Sequence, residues 1–149
     1  MIYLDSSYLV RLYIRQPGSD AVVAHLTGKA YFVCCAHGRP EVVSALKRQQ
    51  REGSADARGV RAALAELARD ESARLLAWLP IESALITFAC EKMASLPPAV
   101  FLRAADALHL ACAAEAGCKE IYSHDRHLLA AAPHFGLRGL DVISPTKKK

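Results

Sequence analysis

Short apolar, β-prone runs alternate along this chain with longer segments whose apolar residues recur at helical spacing, and that alternation limits the folds open to it. Ile2 to Leu4 is the first such run, closed by Asp5, and the SSYLVRLYIRQ that follows keeps a helical period until Pro17-Gly18 stops it. Ser19 to Leu26 reads as a second helix and Ala30 to Ala36 (AYFVCCA) as a second strand. Pro40 suits the first position of a third helix, which opens on Glu41, carries Val42, Val43 and Leu46 as its apolar stripe and ends at Gly53. Ala57 to Ala68 is another amphipathic helix, and Leu75 to Ile81 (LLAWLPI) is a third strand with Pro80 at its end.

Glu82 to Ala94 is predicted helical, Pro97-Pro98 interrupts, and Leu102 to Ala116 (LRAADALHLACAAEA) is an alanine-rich helix stopped by Gly117 and expected to lie largely buried. Glu120 to Ser123 is a short strand, Asp125 begins the helix DRHLLAA, Pro133 ends it, and Leu137 to Ile143 supplies a last strand. Strands alternating with helices in this order predict a mostly parallel sheet covered on both faces, an α/β sandwich. The 149 residues suit one domain, with only the tail Lys147 to Lys149 set apart. No apolar run approaches the roughly 20 residues of a membrane-spanning helix. MIYLDSSYLV has neither a basic leader nor a cleavage site, so a cytoplasmic protein is expected. Five cysteines, an odd number with no C-x-x-C pair, argue against both a disulfide framework and a zinc finger.

In an open parallel sheet, ligands bind beyond the carboxyl ends of the strands, where strand order reverses. Asp5 closes the first predicted strand and Asp125 follows the fourth, while Glu41 and Asp106 lie early in helices that begin at the same edge. Each acid also has a plainer reading. Asp5 and Asp125 suit helix N-caps, and Glu41 complements a helix dipole. Asp106 is harder to place: its helix is apolar, Arg103 is the one opposite charge nearby, and a buried carboxylate needs a partner, a metal or water. Four converging carboxylates repel one another and so imply a cation, and hard oxygen donors favour Mg²⁺ or Mn²⁺. The formal net charge is +4; with those four acids committed to metal, 19 basic residues face 11 acidic ones, a balance suited to a polyanion.

LRAADALHLACAA resembles the signature helix of the PIN-domain family, in particular its VapC-type toxin branch, where an acid stands in an R-x-x-D-A-L-H-L-A setting. MIYLDSSYLVRLY resembles that family's first strand, acid and helix, PEVVSAL its glutamate-bearing helix, and IYSHDRHL its T/S-x-D segment. CCAHGRPEVV departs from the hydroxyl-rich approach that usually precedes the glutamate. The resemblance spans essentially the whole chain, residues 1–146, and implies a PIN-like three-layer α/β/α sandwich. It also implies Asp5, Glu41, Asp106 and Asp125 as metal ligands, with Ser123 and Ser6 supporting the ligands or the attacking water. It assigns His109 a packing role. His124 and His127, flanking Asp125, read as surface histidines, and Arg11, Arg15, Arg39 and Arg103 as solvated charges or phosphate contacts.

The function implied is that of a Mg²⁺- or Mn²⁺-dependent endoribonuclease, the toxin of a toxin–antitoxin pair. Its targets are expected among transfer RNA or ribosomal RNA, its partner is a small cognate antitoxin, and it is expected to dimerise. The alternative is a catalytically silent RNA-binding or scaffolding module of the same fold. A phosphoacceptor receiver domain also places acids at strand ends, but it needs paired acids after the first strand, where this chain has a lone Asp5.

Overall fold

The computed structural model describes residues 1–29 and 31–143. The tail Lys147 to Lys149 and the domain end expected at residue 146 lie outside them. Among the described residues five strands form one sheet: β1 (Ile2–Leu4), β2 (Phe32–Cys35), β3 (Leu76–Leu79), β4 (Glu120–Tyr122) and β5 (Arg138–Leu140). Their order is β3-β2-β1-β4-β5 and every pairing is parallel. The described residues also form seven helices between the strands: α1 (Ser6–Tyr13), α2 (Ser19–Leu26), α3 (Gly38–Arg51), α4 (Ala57–Ser72), α5 (Ser83–Ala94), α6 (Ala104–Glu115) and α7 (Arg126–Ala131). A 3-10 turn, Ala132–Phe135, extends α7. The α/β/α sandwich expected from the alternation is the fold observed.

Successive strand residues point to opposite faces, and both faces are dry. Tyr3, Val33, Cys35 and Ile121 pack on one side with Ala107, Leu110 and Ala111 of α6, Leu85 and Ala89 of α5, and Leu128 of α7. Leu4, Cys34, Tyr122 and Leu76 pack on the other with Leu9 of α1, Val22 of α2, Leu46 of α3 and Leu67 of α4. The chain leaves β1 toward β2 on one side and returns to β4 on the other, so strand order reverses at the β1/β4 junction.

Element boundaries differ from the sequence expectation where local backbone decides them. Tyr31 takes a left-handed conformation (φ 72°), so β2 starts at Phe32. Helix α3 opens at Gly38, not Glu41, because Pro40 sits within the first turn, where a backbone N–H has no intrahelical acceptor to lose. Pro133 likewise falls inside the 3-10 turn without ending the chain's helical course.

Gly38 fixes how α3 meets the sheet. A Cβ there would lie 2.5 Å from Cys34 Sγ and 3.2 Å from His109 Cε1, so helix, strand and the buried imidazole close together only over glycine. Gly38→Ala is therefore expected to destabilise the protein. Overpacking costs about 1–3 kcal/mol, against at most about 1 kcal/mol gained from helix propensity. Chemical denaturation measures the balance, and equal or greater stability of the alanine variant would contradict the close approach.

Candidate active site

Asp5 stands between β1 and α1 with extended backbone and caps α1, its Oδ1 accepting from the Tyr8 amide at 3.1 Å. Capping does not exhaust its role. Ser7 donates to the same oxygen at 2.6 Å, and Ser123, just past β4, donates to Oδ2. The Ser123 hydroxyl also accepts from the Asp125 amide at 2.9 Å, tying the ends of β1 and β4 together across the strand-order reversal. Burial pushes the Asp5 carboxyl up, outweighing the lowering influence of His109, the two hydroxyls and the amide.

Asp125 caps α7 through Oδ1, which accepts from the amides of His127 at 2.7 Å and Leu128 at 3.1 Å. Its Oδ2 accepts from Arg103. Burial raises this carboxyl too, but the two amides and the Arg103 charge outweigh it and hold it below its ordinary value. Asp106, in the first turn of α6, is 8% exposed and accepts from Arg103 Nε at 2.7 Å. One guanidinium, at the N-cap of α6, thus bridges two of the four acids. Of the partner, metal or water that the sequence requires for Asp106, the structure supplies the partner, Arg103 one turn back.

Glu41 lies in the first turn of α3 and faces α6. Its Oε2 is 3.0 Å from His109 Nε2, and its Oε1 is 3.7 Å from His37 Nε2. Burial raises the Glu41 carboxyl, but the hydrogen bond and charge of His109, with smaller help from Ser6 and His37, hold it below its usual value. His109 is 2% exposed and its Nδ1 lies 2.9 Å from the Tyr3 hydroxyl, which in turn accepts from the Cys35 amide at 2.9 Å. Beyond the packing role expected of it, His109 is the group that orients Glu41.

All four acids line one cavity of about 890 Å³, together with Ser6, Ser7, Arg11, His37, Arg48, Arg103 and His109. Ser123 is fully buried behind Asp5 and is held away from the cavity surface. Among the described residues, the group whose ligand atoms come within 4.8 Å of one another is His37, Glu41 and His109, not the four carboxylates. The acids nonetheless suit a hard cation, since Asp106 and Asp125 already share one positive charge.

Arg11 reaches back to the Ser7 carbonyl at 2.6 Å, whereas the Arg48 side chain has no ion-pair or hydrogen-bond partner among the described residues. Arg15 and Arg39 are paired elsewhere, with Asp20 and Glu71. His124 lines the cavity but bonds Asp141 at 3.0 Å, and His127 packs edge-on against Phe101, so neither side chain bonds one of the four acids. Three residues escaped the sequence reading. Ser7 was legible in principle, because an N-cap at Asp5 places the residue two positions on beside its carboxylate. His37 and Arg48 carried no such signal.

Because burial raises the Asp5 carboxyl, its charged form opposes folding. The stability this group lends is complete below the ordinary carboxylate pKa and is lost as pH rises through the folded value. In EDTA, the melting temperature of Asp5→Asn minus that of the wild type is therefore expected to increase from pH 3.5 toward pH 7. Asp106→Asn, which breaks the pair with half-exposed Arg103, is expected to cost up to about 1 kcal/mol at neutral pH. A pH-independent difference for Asp5→Asn would contradict the first reading, and a stabilised Asp106→Asn the second.

The model of one family, the PIN domain, matches residues 2–133. The VapC20 toxin of Mycobacterium tuberculosis, described as cleaving the sarcin–ricin loop, superposes with a TM-score of 0.68 at 20% identity, covering 88% of this chain and 95% of that one. FitAB bound to a DNA fragment contains a chain that superposes with a TM-score of 0.59 at 13% identity, covering 100% of both. At these identities the two structures share the fold. No curated protein matches by sequence. With a family match over most of its length and the sandwich in place, this chain belongs to the PIN-domain family.

Proposed function

We propose that this chain is a divalent-metal-dependent endoribonuclease, the toxin of a VapC-type toxin–antitoxin pair. The observation that carries the reading is that Asp5, Glu41, Asp106 and Asp125, from four separate elements, line one cavity at the edge where strand order reverses. Family membership and the activity described for VapC20 support it. FitAB, a DNA-bound assembly of similar fold, supports a nucleic-acid-associated partner.

The roles of the chain's own groups follow from their surroundings. Asp5, Asp106 and Asp125, with Glu41 from α3, would hold Mg²⁺ or Mn²⁺. Such an ion supplies Lewis-acid polarisation of a phosphodiester oxygen and a more acidic water. Ser7 and Ser123 fix the Asp5 carboxylate by donating to both of its oxygens. His109, held by Tyr3, fixes Glu41. Arg48 and Arg11 at the cavity are placed to meet phosphates, the sequence-independent part of RNA binding. A cytoplasmic homodimer silenced by a small antitoxin belongs to the same proposal. Among the described residues no helix is long and apolar enough to cross a membrane.

One observation favours a second reading, a catalytically silent RNA-binding module: Arg103 occupies Asp106 and Asp125 as a salt-bridged cation would in a purely structural cluster. Incubation with structured RNA separates the two. Cleavage is expected with Mg²⁺ or Mn²⁺, to stop in EDTA, and to be lost in Asp106→Asn while circular dichroism stays native. RNA binding without cleavage under every metal condition would establish the silent module, and cleavage undiminished in EDTA would exclude the metal reading.

A further inference from the structure

His37, Glu41 and His109 form a cluster that the acid site does not explain. His37 precedes α3 and stands one helical turn before Glu41, while His109 comes from the middle of α6. A ring nitrogen from each histidine and a Glu41 oxygen all lie within 4.8 Å of one another, and the two imidazole rings are 4.3 Å apart. In a tetrahedral zinc site with bonds of about 2.0–2.1 Å, neighbouring ligand atoms lie about 3.3–3.4 Å apart. The separations to Glu41, 3.0 Å from Oε2 to His109 Nε2 and 3.7 Å from Oε1 to His37 Nε2, lie on either side of that value. Each is to a different carboxylate oxygen, so a single oxygen reaches both nitrogens only after the carboxylate turns.

Two further features point to a ligand. Both ring nitrogens of His37 are buried and lack a hydrogen-bond partner among the described residues, an arrangement costly for a neutral imidazole and relieved by a metal. Behind His109, the Tyr3 hydroxyl stands 2.9 Å from Nδ1. Metal binding at Nε2 requires the ring proton on Nδ1, and metal-bound histidines ordinarily pass that proton to such an outer acceptor.

We propose that His37, Glu41 and His109 bind a borderline-soft divalent cation of the Zn²⁺ class, with the fourth position open to the cavity. Two imidazoles favour Zn²⁺ strongly over Mg²⁺, whose preferred donors are oxygens. The ion draws on Glu41, which the acid site also uses, so Zn²⁺ silences the enzyme by taking one of its carboxylates. That consequence alone rests on the proposed nuclease activity.

The experiment is a Zn²⁺ titration of the full, metal-stripped chain against a chromophoric chelator, with Co²⁺ absorption reporting the geometry. One Zn²⁺ per chain is expected, with the intense visible bands of tetrahedral Co²⁺. His37→Gln and Glu41→Gln are each expected to weaken Zn²⁺ by about tenfold or more, with native circular dichroism. Asp125→Asn, in the acid cluster, is expected to leave Zn²⁺ affinity unchanged. Zn²⁺ bound equally well by His37→Gln, or lost in Asp125→Asn instead, would overturn the site. In the wild type Zn²⁺ is expected to inhibit Mg²⁺-supported cleavage, and His37→Gln to relieve that inhibition. A wild-type chain that cleaves no RNA would defeat the nuclease reading, while the titration still decides this one.

Discussion

The Asp5 carboxylate, buried where two parallel strands diverge, is the constraint around which the site is arranged. A charge in that position is costly unless hydrogen-bonded. Three donors meet it: the Tyr8 amide from α1, Ser7 from the same turn, and Ser123 from the end of β4. The last of these also fixes Asp125, because the Ser123 hydroxyl accepts from the Asp125 amide. One buried acid therefore sets the register of two strand ends and the start of two helices. The same interactions keep both its oxygens fixed while burial keeps its charge energetically unsatisfied, a combination that favours a cation nearby.

In the rest of the cavity the acids meet two basic side chains. Arg103 spans Asp106 and Asp125, and His109 holds Glu41. Arg103 thus serves two of the four acids and His109 a third, while Asp5 is held by two hydroxyls and an amide. Among the described residues the four carboxylates share a cavity without converging on a single point. Arg103 is half exposed, and an exposed ion pair is worth little, so a divalent ion competes with it on favourable terms. His109 is locked between Tyr3 and Glu41 and does not yield so easily. The histidine side of the cavity is thereby suited to a different metal from the carboxylate side.

Much of this was legible in the sequence because the fold obeys period. Strands of three or four residues such as Ile2–Leu4 and Phe32–Cys35 stood out as apolar runs between helical segments, and their alternation alone implied the parallel sheet. Asp5 and Asp125 were legible as caps and as strand-end acids at once, and the structure shows both roles' geometry in the same side chains. What the sequence hid depends on approach between distant segments. Nothing local signals that Gly38 packs on Cys34 and His109, or that His37 completes a cluster with a residue 72 positions away. The start of α3 differs from the sequence expectation for a related reason: proline is tolerated anywhere in a helix's first turn, so Pro40 marks the neighbourhood of the N-terminus without fixing it.

Whether the carboxylate side of the cavity holds a hard divalent ion is decided most directly by Mn²⁺ binding, followed by electron paramagnetic resonance on the RNA-free protein. Specific binding is expected in the wild type, with the free-Mn²⁺ signal depleted at stoichiometric protein, and it should be lost in Asp5→Asn and in Asp106→Asn while both remain folded. Mn²⁺ bound equally by the wild type and both variants, or by none of them, would contradict an acid-held metal centre.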